Sequence, residues 1–336
     1  MSEYNADEIA VATGLAEDAL VHWGMEHAAL QILKFRENAV FKISLNGVPE
    51  GVIRIHRQGY HTDAEVNSEL LWMGALDDAG IHTPRVIPAL DGANLKVVKD
   101  SRNHLPWQCD VLAWVDGDQL DSIEVDTGID DSTLVENYVT MGELAARIHN
   151  QATRWTLPDG FSRQAWNLEG LVGKDPIFGR FWELEALSAQ QLEVLQRASL
   201  ALRNTLEHIG ENPSYYSLIH ADLLPENLLV TDTKLNLIDF DDCGFGWHLF
   251  EFATPLFFHL GEDVFDDLLA ALVQGYRKHR DISDEHLAYL PAFILARGLS
   301  YLGWLHSRRE TETAKELAPM IIEAVMALAE DYLENA

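Results

Sequence analysis

Residues 218–241 constrain this chain more than any other stretch, because short apolar runs there set both a turn and a register. Leu218-Ile219, Leu228-Leu229-Val230 and Leu235-Asn236-Leu237-Ile238 each have the length of a small strand. The last two flank Thr231-Asp232-Thr233-Lys234, a polar tetrapeptide suited to a hairpin loop. A hairpin centred between Asp232 and Thr233 pairs residues whose numbers total about 465. That register sets Asn227 and Asp239 almost opposite each other at the open end of the ladder. Cross-strand neighbours lie roughly 5 Å apart at Cβ. One hard cation can bridge an amide oxygen and a carboxylate at that spacing. Asp222 lies on a segment that Pro225 keeps from forming a regular helix, beside such a cation without having to ligate it. Phosphoryl transfer needs a metal on the phosphates and a base near the attacking hydroxyl. Asp222 is the candidate base; Asn227 and Asp239 are the candidate Mg²⁺ ligands. The bland alternative, an exposed acidic loop, predicts no particular spacing.

Charge narrows the partners. The 54 acidic residues exceed the 24 basic ones by 30. Such a field repels a nucleic-acid duplex or an anionic membrane unless a basic patch is segregated, and no basic run is present. It favours cationic substrates, although acidity for solubility accounts for it equally well. With 47% apolar and 23% charged residues over 336, the chain is an ordinary globular one, able to bury a sizeable core. Cys109 and Cys243 have no CxxC partner, so neither a disulfide framework nor a thiolate zinc site is expected. The first ten residues lack the features of a secretory signal, and Glu323 breaks the apolar run 317–329. A cytoplasmic location follows as the expectation.

Strand-like content at 29–35, 39–45 and 51–56 is followed by a helical pattern over 62–79, with Val66, Leu70 and Met73 on one face and Gly80 as a stop. Turn chemistry in Asn46–Gly51 suggests pairs totalling about 97, which sets Lys42 opposite Arg54 or its neighbour. Residues 95–100 and 107–115 read as two more strands. After residue 132 helices dominate. Leu134, Tyr138, Met141, Ala145 and Ile148 make a core-facing stripe, and Ser188 with Gln191 offers a capping box for a helix to Ile209. Five amphipathic segments fill 247–334. A doubly wound dinucleotide fold would need a glycine-rich strand-to-helix turn, and none is present.

The run His220-x-Asp222-x-x-x-x-Asn227 followed by Ile238-Asp239-Phe240-Asp241 resembles the catalytic and metal-binding segments of the aminoglycoside phosphotransferase and choline kinase family. The resemblance implies an α+β, bilobal, protein-kinase-like fold. Its small antiparallel-sheet N-terminal lobe would span 1–116 and its larger, mainly helical C-terminal lobe 117–336. It also implies ATP and Mg²⁺. Arg54, in Val52-Ile53-Arg54-Ile55, stands where the family usually presents a lysine to the nucleotide phosphates. Arginine can hold phosphate oxygens bidentately. Lys42 would share that task, and Glu69, beside the apolar helix face, would orient Arg54 in preference to Glu65. The preceding loop, Arg36-Glu37-Asn38-Ala39, lacks the family's glycines. The segment 111–117 resembles the family's hinge, so Val52 and backbone groups around Ala113 and Val115 would meet the nucleotide. Glu251 stands where the family has an aspartate bracing the catalytic loop. The implied acceptor is a hydroxyl on a small amine-bearing molecule that is homoserine-, choline- or aminoglycoside-like. The alternatives are a Ser/Thr protein kinase of the bacterial stress-response type and a nucleotide-binding regulator with little turnover.

Overall fold

Alternation of inward and outward residues builds the first sheet. The computed structural model describes residues 6–35, 38–100, 102–122, 130–231 and 235–335. Strands β1 (Ala29–Phe35), β2 (Ala39–Leu45), β3 (Val48–Ile55), β4 (Leu95–Lys99) and β5 (Pro106–Ala113) form an antiparallel sheet in the order β1-β2-β3-β5-β4. Phe41, Ile43, Ile53, Ile55, Cys109 and Val111 share a core with Ala12, Leu15, Ala16 and Ala19 of helix α1 (Ala6–Leu20). By the two-residue period, Val40, Lys42, Val52, Arg54, Asp110 and Leu112 point to the opposite face. Helix α2 (Asp63–Asp78) starts at a Thr62–Glu65 capping box and buries Val66, Glu69, Leu70 and Met73.

The β2–β3 register differs from the one expected. Lys42 pairs with Val52, and Val40 with Arg54. The cause is a two-residue turn at Asn46-Gly47, both at positive φ (52° and 81°), which is tighter than a turn spread over 46–51. Lys42 and Arg54 are therefore diagonal neighbours on one face.

The chain divides into two units. The first takes residues 1–120, 157–163 and 228–241; the second takes 121–156, 164–227 and 242–336. The first also contains a small sheet of β6 (Asp118–Gln119), β9 (Leu228–Val230) and β10 (Leu235–Leu237), in the order β10-β9-β6. Val230 pairs with Leu235, Leu229 with Asn236 and Leu228 with Leu237, the register read from the sequence. The tip of that hairpin, 232–234, lies outside the described residues, as do Arg36 and Glu37.

In the second unit, β7 (Ala165–Trp166), β8 (Tyr216–Ile219) and β11 (Gly244–Trp247) form a sheet in the order β7-β11-β8. Around it stand α3 (Asp131–Arg154), α4 (Leu168–Val172), α5 (Ala189–Ile209), α6 (His248–Leu256), α7 (Phe265–Arg277), α8 (Asp284–Leu287), α9 (Leu290–Ser307) and α10 (Glu312–Asn335). The α3 stripe of Tyr138, Met141, Ala145 and Ile148 is buried, and Ser188 and Gln191 cap α5 reciprocally. Helices α3 and α7 meet through glycines. A Cβ on Gly142 would lie 2.1 Å from the Leu272 carbonyl oxygen, and one on Gly275 1.9 Å from that of Val139. The aromatics of 155–182 are partly core, since Trp166, Phe178 and Phe181 are all buried. Among the described residues, no helix is long and apolar enough to cross a membrane.

Candidate active site

The catalytic-type segment of the second unit begins where β8 ends. Ala221, just before Asp222, adopts a left-handed conformation with φ 64°, which a residue with a Cβ holds only when its surroundings enforce it. Glu251, on α6, accepts from His220 N at 3.3 Å and Ala221 N at 2.8 Å. Arg297, on α9, donates through Nη1 to the Ala221 carbonyl at 3.0 Å. The turn is thus gripped from both sides by side chains of two helices. Burial, only partly offset by those two N–H groups, pushes the Glu251 carboxyl up to about 7.

Asp222 is held at both oxygens. Arg297 Nη2 donates to Oδ1 at 2.9 Å, and Asn227 Nδ2 donates to Oδ2 at 2.9 Å and to the Asp222 carbonyl at 2.8 Å. The Arg297 side chain is 1% exposed and that of Asp222 21%, so the carboxylate reaches solvent while its counter-charge does not. The guanidinium carbon of Arg297 lies 4.5 Å from the centre of the Tyr301 ring and 5.4 Å from that of Phe250. With the amide hydrogens of Asn227 committed to Asp222, its oxygen is the end suited to a hard cation.

The first unit holds the other expected residues. Asp239 also adopts φ 64°, and Lys34 Nζ lies 2.8 Å from its Oδ2. Asp241 is buried. Its Oδ1 accepts from Asn38 Nδ2 at 3.2 Å, and its backbone carbonyl bonds His61 Nε2 at 2.8 Å and Arg163 Nη2 at 2.5 Å. Burial, reinforced by Glu69 and Asp239, raises its carboxyl above the usual range despite His61 and His56. Asp241 is therefore part of the interior.

Arg54 is bound inward. Nη1 donates to Glu69 Oε1 at 2.7 Å, the pairing anticipated for Glu69, but Asp110 takes the other edge, with Nε to Oδ1 at 2.9 Å and Nη2 to Oδ2 at 2.8 Å. The residue is 6% exposed. His56 Nε2 adds a 2.6 Å bond to Asp110 Oδ2, and Arg163 Nη1 lies 3.5 Å from Glu69 Oε2. Burial alone would raise Asp110; Arg54 and His56 overcome it and hold the carboxyl at about 2. Lys42 Nζ sits 4.1 Å over the Trp114 ring. At the hinge-like segment, the Ala113 amide donates to the Arg85 carbonyl at 2.8 Å and Trp114 N to Glu50 O at 3.1 Å. The Ala113 N–H is thus committed within the protein, contrary to a role for that group with adenine. Its neighbour across the ladder, Gly51, is required by packing, because a Cβ there would lie 2.6 Å from Leu112 O.

Sequence reasoning missed Asp110, Arg163, Arg297 and Lys34. Only Asp110 left a usable signal: a lone acid amid the apolar run of a buried strand needs a cation.

These elements define an α+β protein with an antiparallel five-stranded sheet in one unit and a mainly helical second unit, the class of the protein-kinase-like phosphotransferases. A model of the phosphotransferase enzyme family matches residues 29–287. The chain belongs to that family. It is 32% identical to a microcompartment-associated aminopropanol kinase of known structure, covering 96% of this chain and 98% of that one with a TM-score of 0.85. It is 22% identical to the amicoumacin kinase of Bacillus subtilis (strain 168) over 89% of this chain and 86% of that protein. The fold is shared with the amicoumacin kinase hAmiN, solved with AMP-PNP, Ca²⁺ and Ami, at 17% identity and a TM-score of 0.74 over 96% of each chain.

Proposed function

We propose that this chain transfers the γ-phosphate of Mg-ATP to a hydroxyl of a small amine-bearing molecule. The observation that carries the reading is the double grip on Asp222, a solvent-reaching carboxylate fixed by a buried cation and an amide. Asp222 accepts the proton of the acceptor hydroxyl as the oxygen attacks phosphorus. Arg297 and Asn227 keep its carboxylate from rotating, so that a remaining lone pair faces the incoming hydroxyl. Glu251 holds the turn that presents it.

Mg²⁺, when bound, neutralises charge on the phosphate oxygens. Asn227 and Asp239 are the residues that would hold it. Their donor set fits, since one amide oxygen and one carboxylate leave the other positions to phosphates and water, as Mg²⁺ prefers. Lys34 on Asp239 shows that this carboxylate already attracts a cation. Lys42 lends positive charge to the sheet face proposed for the nucleotide, and Arg54, fixed by Glu69 and Asp110, braces that face from within. Val52 would line that face, and the Val115 backbone would contribute at the hinge.

The amine preference rests on the acidic chain and on the names of two relatives, an aminopropanol kinase and an amicoumacin kinase. The test is ADP release with Mg-ATP and a panel of short amino alcohols, hydroxyamino acids, aminoglycosides and a Ser/Thr protein mixture. We expect turnover with an amino alcohol or a close analogue, and its loss in Asp222→Asn. Equal turnover in Asp222→Asn would overturn the role of that residue. The inward clasp on Arg54 favours a second reading, a nucleotide-binding regulator. Thermal stabilisation by Mg-ATP with no ADP release from any acceptor would support it.

A further inference from the structure

We infer that Lys34 is the residue whose charge meets the nucleotide phosphates, with Arg54 serving as a fixed internal brace. This deepens the ATP-dependent reading above and rests on it.

Arg54 cannot reach out. Asp110 lies directly across the β3–β5 ladder and holds Nε and Nη2, while Glu69 holds Nη1. Both acids are fully buried. Turning the guanidinium toward a ligand would break three charge-assisted hydrogen bonds in a dry interior and leave Asp110 with His56 and Glu69 with the more distant Arg163, a costly exchange.

Lys34 has the opposite properties. Its ammonium rests on Asp239 at 2.8 Å, with the two side chains 37% and 32% exposed. A partly exposed pair of this kind is worth far less than the buried clasp on Arg54, so its ammonium is the easier of the two to draw to another anion. A β-bulge also decides where it points. Ile32 pairs with Phe41 of the core face, but the register shifts by one residue before Lys34, which pairs with Val40. Val40 pairs in turn with Arg54. A regular ladder would have kept Lys34 on the face of Ile32, over the α1 core. The bulge re-aims it to the face that carries Lys42 and Arg54.

The consequence is a charge exchange at Asp239. Without nucleotide, the Lys34 ammonium neutralises that carboxylate. With nucleotide bound, Asp239 would be the carboxylate available to Mg²⁺ and the Lys34 ammonium would meet the phosphate oxygens, a role lysine fills as a compact point charge. The lysine expected at position 54 is thereby supplied from β1.

Calorimetry on Lys34→Met and Lys34→Arg with Mg²⁺ and AMP-PNP, with adenosine as the control ligand, tests this. Lys34→Met should weaken AMP-PNP binding at least about tenfold, the scale of one lost contact between charged groups. It should leave adenosine binding unchanged, and Lys34→Arg should recover most of the loss. Thermal melts of both variants should lie close to the wild type, because a partly exposed ion pair contributes little to stability. AMP-PNP binding to Lys34→Met that equals wild type would overturn the role of Lys34 and leave the kinase reading standing. Wild-type protein that binds no AMP-PNP would overturn both. Equal weakening for adenosine and AMP-PNP would mark Lys34 as structural and also sink the inference.

Discussion

Arg297 donates to Asp222 from the interior at 2.9 Å, so the proposed base is ion-paired to a charge that water does not reach. Such a partner is weakly screened by salt. It also has other attachments, to the Ala221 carbonyl and the Tyr301 ring, so it cannot follow Asp222 if that side chain moves. The pairing is a fixed reference for the base.

Arg297→Met removes that reference. We expect kcat to fall about 10²- to 10⁴-fold, the range of a lost general base, with the KM for ATP changed little. Stability should drop by about 1–3 kcal/mol, below the usual loss for a fully buried pair because Asp222 is partly solvated. Steady-state kinetics and urea denaturation measure the two effects. A KM effect with unchanged kcat would assign Arg297 to binding.

Glu251 makes stability depend on pH in a defined direction. Its folded carboxyl titrates near 7 against an ordinary 4.5, so the folded state holds the proton more tightly. The stabilisation is full below the ordinary value and is lost as pH rises through 7, to about 3 kcal/mol at most. Glu251→Gln should flatten the wild-type slope between pH 4.5 and 7 in chemical denaturation series. An unchanged slope would place the titration elsewhere.

Asp110 acts in the other direction. Held at about 2 against 3.8, it contributes stability above pH 4 that fades as pH falls toward 2. The effect is about 2 kcal/mol. Asp110→Asn should cost about 3–5 kcal/mol at neutral pH, since Arg54 would lose its bidentate partner in a dry setting. The penalty should shrink in acid, which a comparison of melting curves at pH 7 and pH 3.5 reads directly.

The α3–α7 contact has no room for a methyl group. Gly275→Ala would set a Cβ 1.9 Å from the Val139 carbonyl oxygen, and neither backbone can yield without moving its helix. We expect a loss of about 1–3 kcal/mol or more, seen as a lower urea midpoint. Gly74→Ala, with no atom within 4 Å of its Cβ, is the control and should be neutral or slightly stabilising.

What could be read from sequence followed distance along the chain. The β9–β10 register was legible because two apolar runs flank one polar turn, and the helix stripe of α3 because its period is local. The β2–β3 register was misplaced because Asn46-Gly47 is a complete turn by itself, and the following Val-Pro-Glu-Gly diluted that signal. Arg297 could not be found from Asp222, because no local pattern links residues that far apart. Lys34 was hidden differently. Strict alternation assigns it to the core side, and only a bulge, which no residue in Ile32-Leu33-Lys34 announces, reverses it. The Arg54–Glu69 pair is legible from strand and helix position, but the stronger partner, Asp110, sits in a strand whose apolar run dominates its pattern.

The order in which the two units use the chain bears on how the protein can be dissected. The polypeptide passes from one unit to the other five times. A gene cut after residue 120 would give a first fragment without Arg163, β9, β10 or Asp239, leaving Glu69 short of a cation and β6 without a partner strand. Complementation by the two halves would require 157–163 and 228–241 to be delivered back in trans. Limited proteolysis should therefore yield nicked, co-purifying pieces rather than a separable small domain. Truncation is a poor route to a minimal nucleotide-binding unit of this chain.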